Sequence, residues 1–187
     1  SAASGYAACI AFIRGLAGKT KENVGNFFSD MIRITTRVLL PFSIIGGLLL
    51  VWQGVPQNFS GNIVVDTVEG ARQIIATGPV AALESIKHLG TNGGGFLGAN
   101  SSTPIENPTI LTNLIVLWSM MLLPGACVVT FGRMVHDRRT EPGTGSTVPQ
   151  PVRQSLTARF FGKEGRSIFA AMGILFLIGL AVCFWAE

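Results

Sequence analysis

The 187-residue sequence predicts an all-α integral membrane fold, and three observations support this prediction. The composition, 48% hydrophobic and 13% charged with a mean hydropathy of +0.48, is too apolar for an ordinary soluble domain. The stretches 38–65, 107–132 and 167–186 lack charged residues and His, and each can supply a transmembrane helix. A short helical pattern followed by three glycines separates the first two. We therefore expect a transmembrane helix, a re-entrant helix with a glycine-rich loop, a transmembrane helix, and one further transmembrane helix.

The N-terminal part of the chain is predicted to contain one complete span. Residues 1–17, with Arg14 as their first charge, are interpreted as the end of a transmembrane helix, and 18–33 as a cytoplasmic connection that becomes amphipathic. The complete span is placed at 34–53. Pro41 within it predicts a kink or an early-turn position, because proline lacks the N–H that a helix interior uses. The chain starts without Met, which indicates a piece of a longer protein.

The charge distribution predicts which loops face the cytoplasm. Twelve of the 14 Lys and Arg residues fall within 14–37 or 133–166, and only two lie between these ranges. By the positive-inside rule the basic segments are cytoplasmic, so residues 54–78 form an extracellular or periplasmic loop, with a short strand at 62–65. No basic patch is interleaved with aromatic residues, which argues against a nucleic-acid partner.

Residues 79–90 predict a short helix that is far too short to span a bilayer. Thr77 or Gly78 is the candidate N-cap residue, and Pro79 stands at the favoured first helical position. Gly90 is a typical residue for the helix end. A short helix between two spans is the order found in a re-entrant pore loop.

The glycine-rich segment "TNGGGFLGAN" opens the next loop, 91–108. At membrane depth, irregular backbone is tolerated only where protein buries it or where it lines a water-filled cavity. Glycines adopt positive φ at little cost, so successive carbonyls can face one axis and replace the hydration shell of a potassium ion. The C-terminus of the preceding helix carries partial negative charge and would point at the same place. The segment therefore predicts a potassium filter.

These glycines have two other interpretations. A phosphate-binding loop is disfavoured, because no GK[ST] sequence follows and the helix precedes the glycines, presenting the wrong dipole end to an anion. A tight turn that only lets helices pack closely would explain Gly93 and Gly94, and it remains open. That structural interpretation leaves the short helix of residues 79–90 unexplained.

The C-terminal part is predicted to contain two spans, 109–132 and 168–186. Between them, residues 133–167 are rich in Pro, Gly, Ser and Thr, so we expect a cytoplasmic linker without a fold of its own. Trp185 is placed at the outer membrane interface as an aromatic anchor.

No catalytic arrangement is evident among the cysteines and histidines. Cys9, Cys127 and Cys183 lie in apolar segments without metal-ligand spacing and are expected to be small buried side chains. His88 and His136 have no recognisable Ser, Cys or carboxylate partners in the sequence, so we expect solvated or interfacial histidines.

The loop and its flanks resemble a known family. "LGTNGGGF" followed by "ANSSTPIENPT" resembles the second pore-loop region of KdpA, the potassium-binding subunit of the bacterial Kdp potassium-transporting ATPase. The segments "VGNFFSDMIRITTRVLLP", "QGVPQNF", "GPVA", "ESIK", "DRR" and "WAE" agree with it as well. The resemblance covers nearly the whole chain and implies the second of four repeats of helix, pore loop and helix, similar to Trk and Ktr transporters.

The resemblance also implies the site residues and the partners. Oxygens from four such loops would hold the potassium ion. Carried over by position, the potassium-binding and filter residues are Thr91, Asn92, Gly93, Gly94 and Gly95, with Asn100 as a polar partner after the filter. ATP hydrolysis would belong to a separate P-type ATPase catalytic subunit, with accessory Kdp subunits, in the bacterial inner membrane. No organic cofactor and no metal other than K⁺ is expected.

Two alternatives to an ATP-driven importer are open. An ATP-independent cation transporter or channel subunit of the Trk or Ktr kind would use the same loop. A purely structural membrane subunit would use the glycines for packing alone.

Overall fold

The computed structural model describes residues 2–17, 24–91, 95–140 and 156–186. Most of these residues are helical. In chain order the elements are helices α1 (Ala2–Ala17) and α2 (Phe27–Ile34), a π-helical turn (Thr35–Leu39), helix α3 (Leu40–Trp52), strands β1 (Ile63–Asp66) and β2 (Arg72–Ile75), and helices α4 (Val80–Leu89), α5 (Ile110–Thr140) and α6 (Leu156–Ala186).

Three helical segments of the described chain are long and apolar enough to cross a membrane. They are Phe27–Trp52, which runs from α2 to α3, Ile110–Val135 in α5 and Gly162–Ala186 in α6. Most of their residues are exposed, so most of their apolar side chains lie outside the chain's own core. The predicted class, a mostly helical protein with three such helices, is confirmed.

The first span starts at Phe27 rather than within the predicted range 34–53, because α2 continues through the π-helical turn into α3. Pro41 stands in the first turn of α3, directly after that turn. Its missing N–H therefore falls where the helical hydrogen-bond pattern already changes. Thr35 Oγ1 donates a hydrogen bond to the Met31 carbonyl at 2.8 Å within the same stretch.

A β-hairpin follows the first span. Strands β1 and β2 pair antiparallel, with Ile63 opposite Ile75, and β1 overlaps the strand predicted at 62–65. The second strand was not predicted, because "RQII" shows no alternation of polar and apolar residues. At the base of the hairpin, Thr77 Oγ1 donates to the Gly61 carbonyl at 2.9 Å.

The chain divides into two compact units, Ser1–Ala7 with Phe27–Leu123, and Ala8–Asn26 with Pro124–Glu187. The first unit has a small apolar core that joins α3, α4 and α5 with the segment after the glycines. Its buried members are Leu50, Val55, Val80, Ala81 and Val116, and Phe96, Ile105 and Ile115 pack against them.

In the second unit α5 and α6 approach each other through glycines. Gly162 interrupts the α6 helix at φ 61°, and a Cβ built on it would lie 2.4 Å from the Gly132 carbonyl oxygen. Helices α5 and α6 also take in both ends of the predicted linker 133–167, so the prediction that this whole range lacks a fold was wrong. Residues 141–155 of that linker lie outside the described residues.

The cysteines are less buried than expected. Cys9 and Cys127 are half-buried and Cys183 is exposed, so the prediction of three buried side chains was wrong. The reason is that Cys183 lies in the α6 span, whose apolar surface faces outward.

Candidate functional site

Helix α4 buries its polar side chains and exposes two of its large apolar ones, an arrangement that we call inverted, although Val80, Ala81 and Leu89 are buried as well. Leu83 and Ile86 are 41% and 57% exposed. The buried polar residues of the helix are Glu84, Ser85, Lys87 and His88. This distribution is typical of a helix enclosed in apolar surroundings, where the polar groups turn inward to find partners.

The contact of α4 with α3 is made by small residues. Ser85 Oγ donates a hydrogen bond to the Ser43 carbonyl at 2.7 Å. A Cβ on Gly46 would lie 2.6 Å from Ser85 Oγ, so the two helices approach as closely as a glycine permits. Small residues at helix contacts are typical of membrane proteins, since they allow close backbone approach.

The N-terminus of α4 is held by the segment that leaves α3. The Ala81 N–H donates to the Pro56 carbonyl and the Ala82 N–H donates to Gln57 Oε1, both at 3.0 Å. Two of the N–H groups that a helix leaves unpaired at its start are thus satisfied by residues 25 positions earlier in the chain.

The prediction that Thr77 or Gly78 caps this helix was wrong. Pro79 is the N-cap residue and no side chain of its own caps the helix. Gly78 is buried, and a Cβ on it would lie 2.7 Å from the ring of Phe96. Gly78 thus provides room for the aromatic ring that follows the glycines.

At its C-terminus α4 ends at Gly90, whose N–H donates to the Ile86 carbonyl at 3.0 Å. Gly90 keeps right-handed helical geometry, and the next residue, Thr91, takes the left-handed conformation at φ 57°. A β-branched residue in that region is strained, and such strain concentrates at functional sites. The prediction that the helix ends at Gly90 is confirmed. The sequence did not indicate that Thr91 would be the residue with left-handed backbone geometry.

Three of the six predicted filter residues are within the described chain. They are Thr91, Gly95 and Asn100. The other three, Asn92, Gly93 and Gly94, lie outside the described residues. Thr91 and Asn100 are exposed, and both have positive φ.

Gly95, the third glycine, is fixed by two independent requirements. Its φ of 98° is a conformation that residues with a Cβ rarely adopt. A Cβ there would lie 2.7 Å from both Glu84 Oε2 and Lys87 Nζ. The backbone at Gly95 therefore lies directly against charged side chains of α4.

Those side chains form a buried polar group, the Glu84 cluster, which consists of Glu84, Lys87, His88 and Ser101. Lys87 Nζ lies 2.9 Å from Glu84 Oε2, and His88 Nε2 lies 2.7 Å from Glu84 Oε1. Ser101 Oγ donates to Glu84 Oε1 and also contacts His88 Nε2. The Glu84 and Lys87 side chains are 0% and 3% exposed. One carboxylate thus joins helix α4 to the loop.

The expectation of a solvated or interfacial His88 was wrong, since this side chain is buried and paired with Glu84 and Ser101. The partners lie 4 and 13 residues away and meet only through the fold. Both contact the same ring nitrogen, so the three residues do not form a hydrolytic triad, which uses the two nitrogens separately. The His136 side chain is not among those described.

The Glu84 carboxyl lies on α4, outside the three spanning helices. Burial by itself raises the pKa of Glu84, but the contacts with His88 and Lys87 lower it, and the net pKa lies below the ordinary value. Glu84 is therefore a carboxylate paired with a lysine cation.

A second buried carboxylate, Glu106, holds the segment after the glycines. Its Oε1 accepts a hydrogen bond from the Leu97 N–H at 3.0 Å, and its Oε2 accepts one from the Ser101 N–H at 3.1 Å. Glu106 is 0% exposed. Ser101 has a φ of 61°, so this carboxylate stabilises a left-handed residue that the backbone alone would disfavour.

Sequence reasoning missed Glu84, Lys87 and Glu106. An available signal was the presence of ionisable residues in a short, otherwise apolar segment, which is costly unless they pair with one another. Among the residues that the structure describes, no group of three His, Cys, Asp or Glu side chains could hold a metal ion.

Three spans, with an inverted short helix and a glycine-rich loop between the first two, define a multi-pass helical membrane protein. The chain belongs to the KdpA family, described as potassium-transporting ATPase A subunit, whose model matches residues 1–187.

Several relatives carry the name potassium-transporting ATPase potassium-binding subunit. One from Caldanaerobacter subterraneus subsp. tengcongensis is 60% identical over 139 residues, which are 74% of this chain and 25% of that protein. Those from Staphylococcus haemolyticus and Rhodospirillum centenum are 48% and 44% identical over all 187 residues, which cover 30% and 28% of their lengths. The chain therefore spans less than a third of the length of these relatives.

Proposed function

We propose that this chain is part of a potassium-binding and translocating subunit, in which the loop after α4 coordinates K⁺ through backbone carbonyls. The observation that carries the proposal is the inverted helix α4, which exposes Leu83 and Ile86, buries its charges and ends at the glycine-rich loop. A helix of this kind fits a re-entrant position inside a membrane protein, where irregular backbone lines a polar passage.

The geometry around the loop supports this role. The C-terminal end of α4 carries partial negative charge from unpaired carbonyls, which favours a cation nearby. Thr91 begins the loop in a left-handed conformation, and Gly95 follows the glycines with a positive φ. In the proposed filter Thr91, Asn92, Gly93, Gly94 and Gly95 supply or orient the carbonyls, replacing the hydration shell of the ion.

The rest of the transporter is proposed from the names of the relatives. Since the chain covers 25–30% of those subunits, the missing part would supply the other loops of the coordination shell. Energy would come from a P-type ATPase catalytic subunit, with accessory Kdp subunits, in the lipid of the bacterial inner membrane. No organic cofactor is proposed, and K⁺ is the cargo.

The test is potassium uptake by cells that lack other potassium transporters and express the full-length subunit with its partners. Gly93→Asp should raise the apparent KM for K⁺ or admit Rb⁺, at membrane expression equal to that of the wild type. Gly61→Asp is the matched control, because Gly61 is exposed in the segment before β1 and a Cβ there meets nothing within 4 Å. Unchanged affinity and Rb⁺ discrimination in Gly93→Asp, with normal transport, would refute the filter assignment.

One observation favours the structural alternative for part of the motif. Gly95 is already required by its close packing against Glu84 and Lys87, so its presence does not depend on ion binding. Gly93 therefore gives the sharper test. Uptake that persists without the ATPase partner would instead favour an ATP-independent transporter of the Trk or Ktr kind.

A further inference from the structure

Glu84 is a charged side chain that reaches the glycine-rich loop at two places. Through Lys87 it faces Gly95, where an added Cβ would lie 2.7 Å from each of the two charged atoms. Through its other oxygen it accepts a hydrogen bond from Ser101 Oγ, 17 residues along the chain. The same carboxylate thus packs against the backbone at Gly95 and accepts a hydrogen bond from the Ser101 side chain.

Burying this ion pair is costly, so its retention needs a reason. Glu84 and Lys87 are almost wholly removed from solvent, and removing two charges from water costs several kcal/mol each. Among the described residues, neither Lys87 Nζ nor Glu84 Oε2 has a hydrogen-bond partner of good geometry, although the two atoms are 2.9 Å apart. Replacing a buried ion pair by apolar residues of similar volume is often neutral or stabilising, so a buried pair is weak evidence for a purely stabilising role.

We propose that Glu84 is a positioning residue of the ion site, which sets the carbonyl directions of the glycine-rich loop through Gly95 and Ser101. This inference rests on the proposed function of the loop. Glu84 does not touch the ion; it acts by fixing the peptide planes that follow the glycines. Glu106 fixes the same segment through the N–H groups of Leu97 and Ser101. Helix α4 reaches Ser101 through both Glu84 and His88, and of these two Glu84 also packs against Gly95.

A positioning role of Glu84 predicts that its loss changes the affinity for K⁺ and the discrimination against Rb⁺ more than the rate of transport. Carbonyls coordinate a dehydrated ion favourably only when they stay at the spacing that fits it. If Glu84 loses its charge, Lys87 loses its buried counter-charge, and the segment from Gly95 to Ser101 then depends mainly on Glu106. The loop should then hold K⁺ less tightly and distinguish it less well from Rb⁺.

The experiment measures uptake by the full-length subunit in its complex, comparing Glu84→Gln with wild type. Glutamine keeps the shape of the side chain and removes its charge. We expect an apparent KM for K⁺ raised roughly ten-fold, since a charge-assisted contact contributes about that factor, with a smaller change in Vmax and reduced discrimination against Rb⁺. Glu69→Gln is the matched control, because Glu69 is exposed in the hairpin turn, and it should behave as wild type.

Ser101→Ala provides a second, milder variant that leaves the charges paired. It removes the hydroxyl that joins Glu84 to the loop, and it should raise the KM several-fold at wild-type membrane expression even if Glu84→Gln fails to accumulate. The proposal is overturned if Ser101→Ala has the wild-type KM and Rb⁺ discrimination. Where Glu84→Gln accumulates in the membrane, the same result in that variant is also required. If Gly93→Asp alters affinity while these variants do not, the filter stands and Glu84 has no positioning role. If Gly93→Asp has no effect, the proposed function itself fails.

Discussion

The contact between α3 and α4 gives a prediction whose size can be worked out from the structure. Gly46 and Gly47 are adjacent residues inside α3, and both face α4. A Cβ on Gly46 would lie 2.6 Å from Ser85 Oγ, whereas a Cβ on Gly47 would have its nearest neighbours at 4.0 Å, an ordinary contact. Gly46→Ala should therefore destabilise the first unit, and Gly47→Ala should not.

The magnitude follows from what Ser85 must do to make room. Its hydroxyl has to rotate away, which breaks the 2.7 Å hydrogen bond to the Ser43 carbonyl. Losing a buried hydrogen bond and leaving its groups unsatisfied costs about 1–3 kcal/mol. Replacing glycine by alanine inside a helix gains up to about 1 kcal/mol, and this gain is common to both variants. The two alanine variants should thus differ in stability by about 1–3 kcal/mol, with Gly46→Ala the less stable.

The assay is thermal unfolding of the purified full-length subunit in detergent, with the two variants measured side by side. A double variant sharpens it. Removing the hydroxyl with Ser85→Ala leaves only the Ser85 Cβ, which would lie 3.6 Å from the new methyl group, so Gly46→Ala should cost little in that background. Equal stability of Gly46→Ala and Gly47→Ala, or an equal cost of Gly46→Ala with and without Ser85→Ala, would refute the packing argument.

Two further predictions concern other parts of the chain. Glu106→Gln should lower the free energy of unfolding by about 1–3 kcal/mol. Glutamine has one side-chain oxygen, so it can accept only one of the two hydrogen bonds that the Leu97 and Ser101 N–H groups donate to Glu106. An unchanged melting temperature of the full-length subunit would contradict this. Gly162→Ala should lower the melting temperature, because its Cβ would lie 2.4 Å from the Gly132 carbonyl oxygen and its φ is 61°. Gly173→Ala is the control and should leave the melting temperature unchanged, because a Cβ there meets nothing within 4 Å. Equal melting temperatures of these two alanine variants would show that the close glycine contact is absent.

The spans could be predicted from the sequence because bilayer crossing depends on local hydropathy and length. The stretches without charge gave three spanning helices, and Gly90 marked the end of the short helix. Boundaries set by longer-range effects were less predictable. The first span starts at Phe27 because an amphipathic segment continues into it, although its charges suggested a connection.

The prediction of the candidate site rested on its glycines. Three glycines in an apolar chain predicted a loop that lines a passage, since glycine adopts positive φ at little cost. Of the three, the structure describes Gly95, whose φ is 98°. No local pattern indicated that Glu84 would meet Ser101, because the two residues are 17 positions apart and contact each other only when the loop folds back along α4. For the same reason it led to the wrong expectation for His88.

By itself, then, the sequence determined the membrane class, the short helix and the position of the glycine-rich loop, all of which depend on neighbouring residues. Only the tertiary structure decided that Glu84 and Lys87 form a buried pair against Gly95, and that Glu106 holds the segment beyond it. The physical reason is that a buried charge is tolerated only beside a partner, and the identity of that partner depends on how the chain returns to the helix.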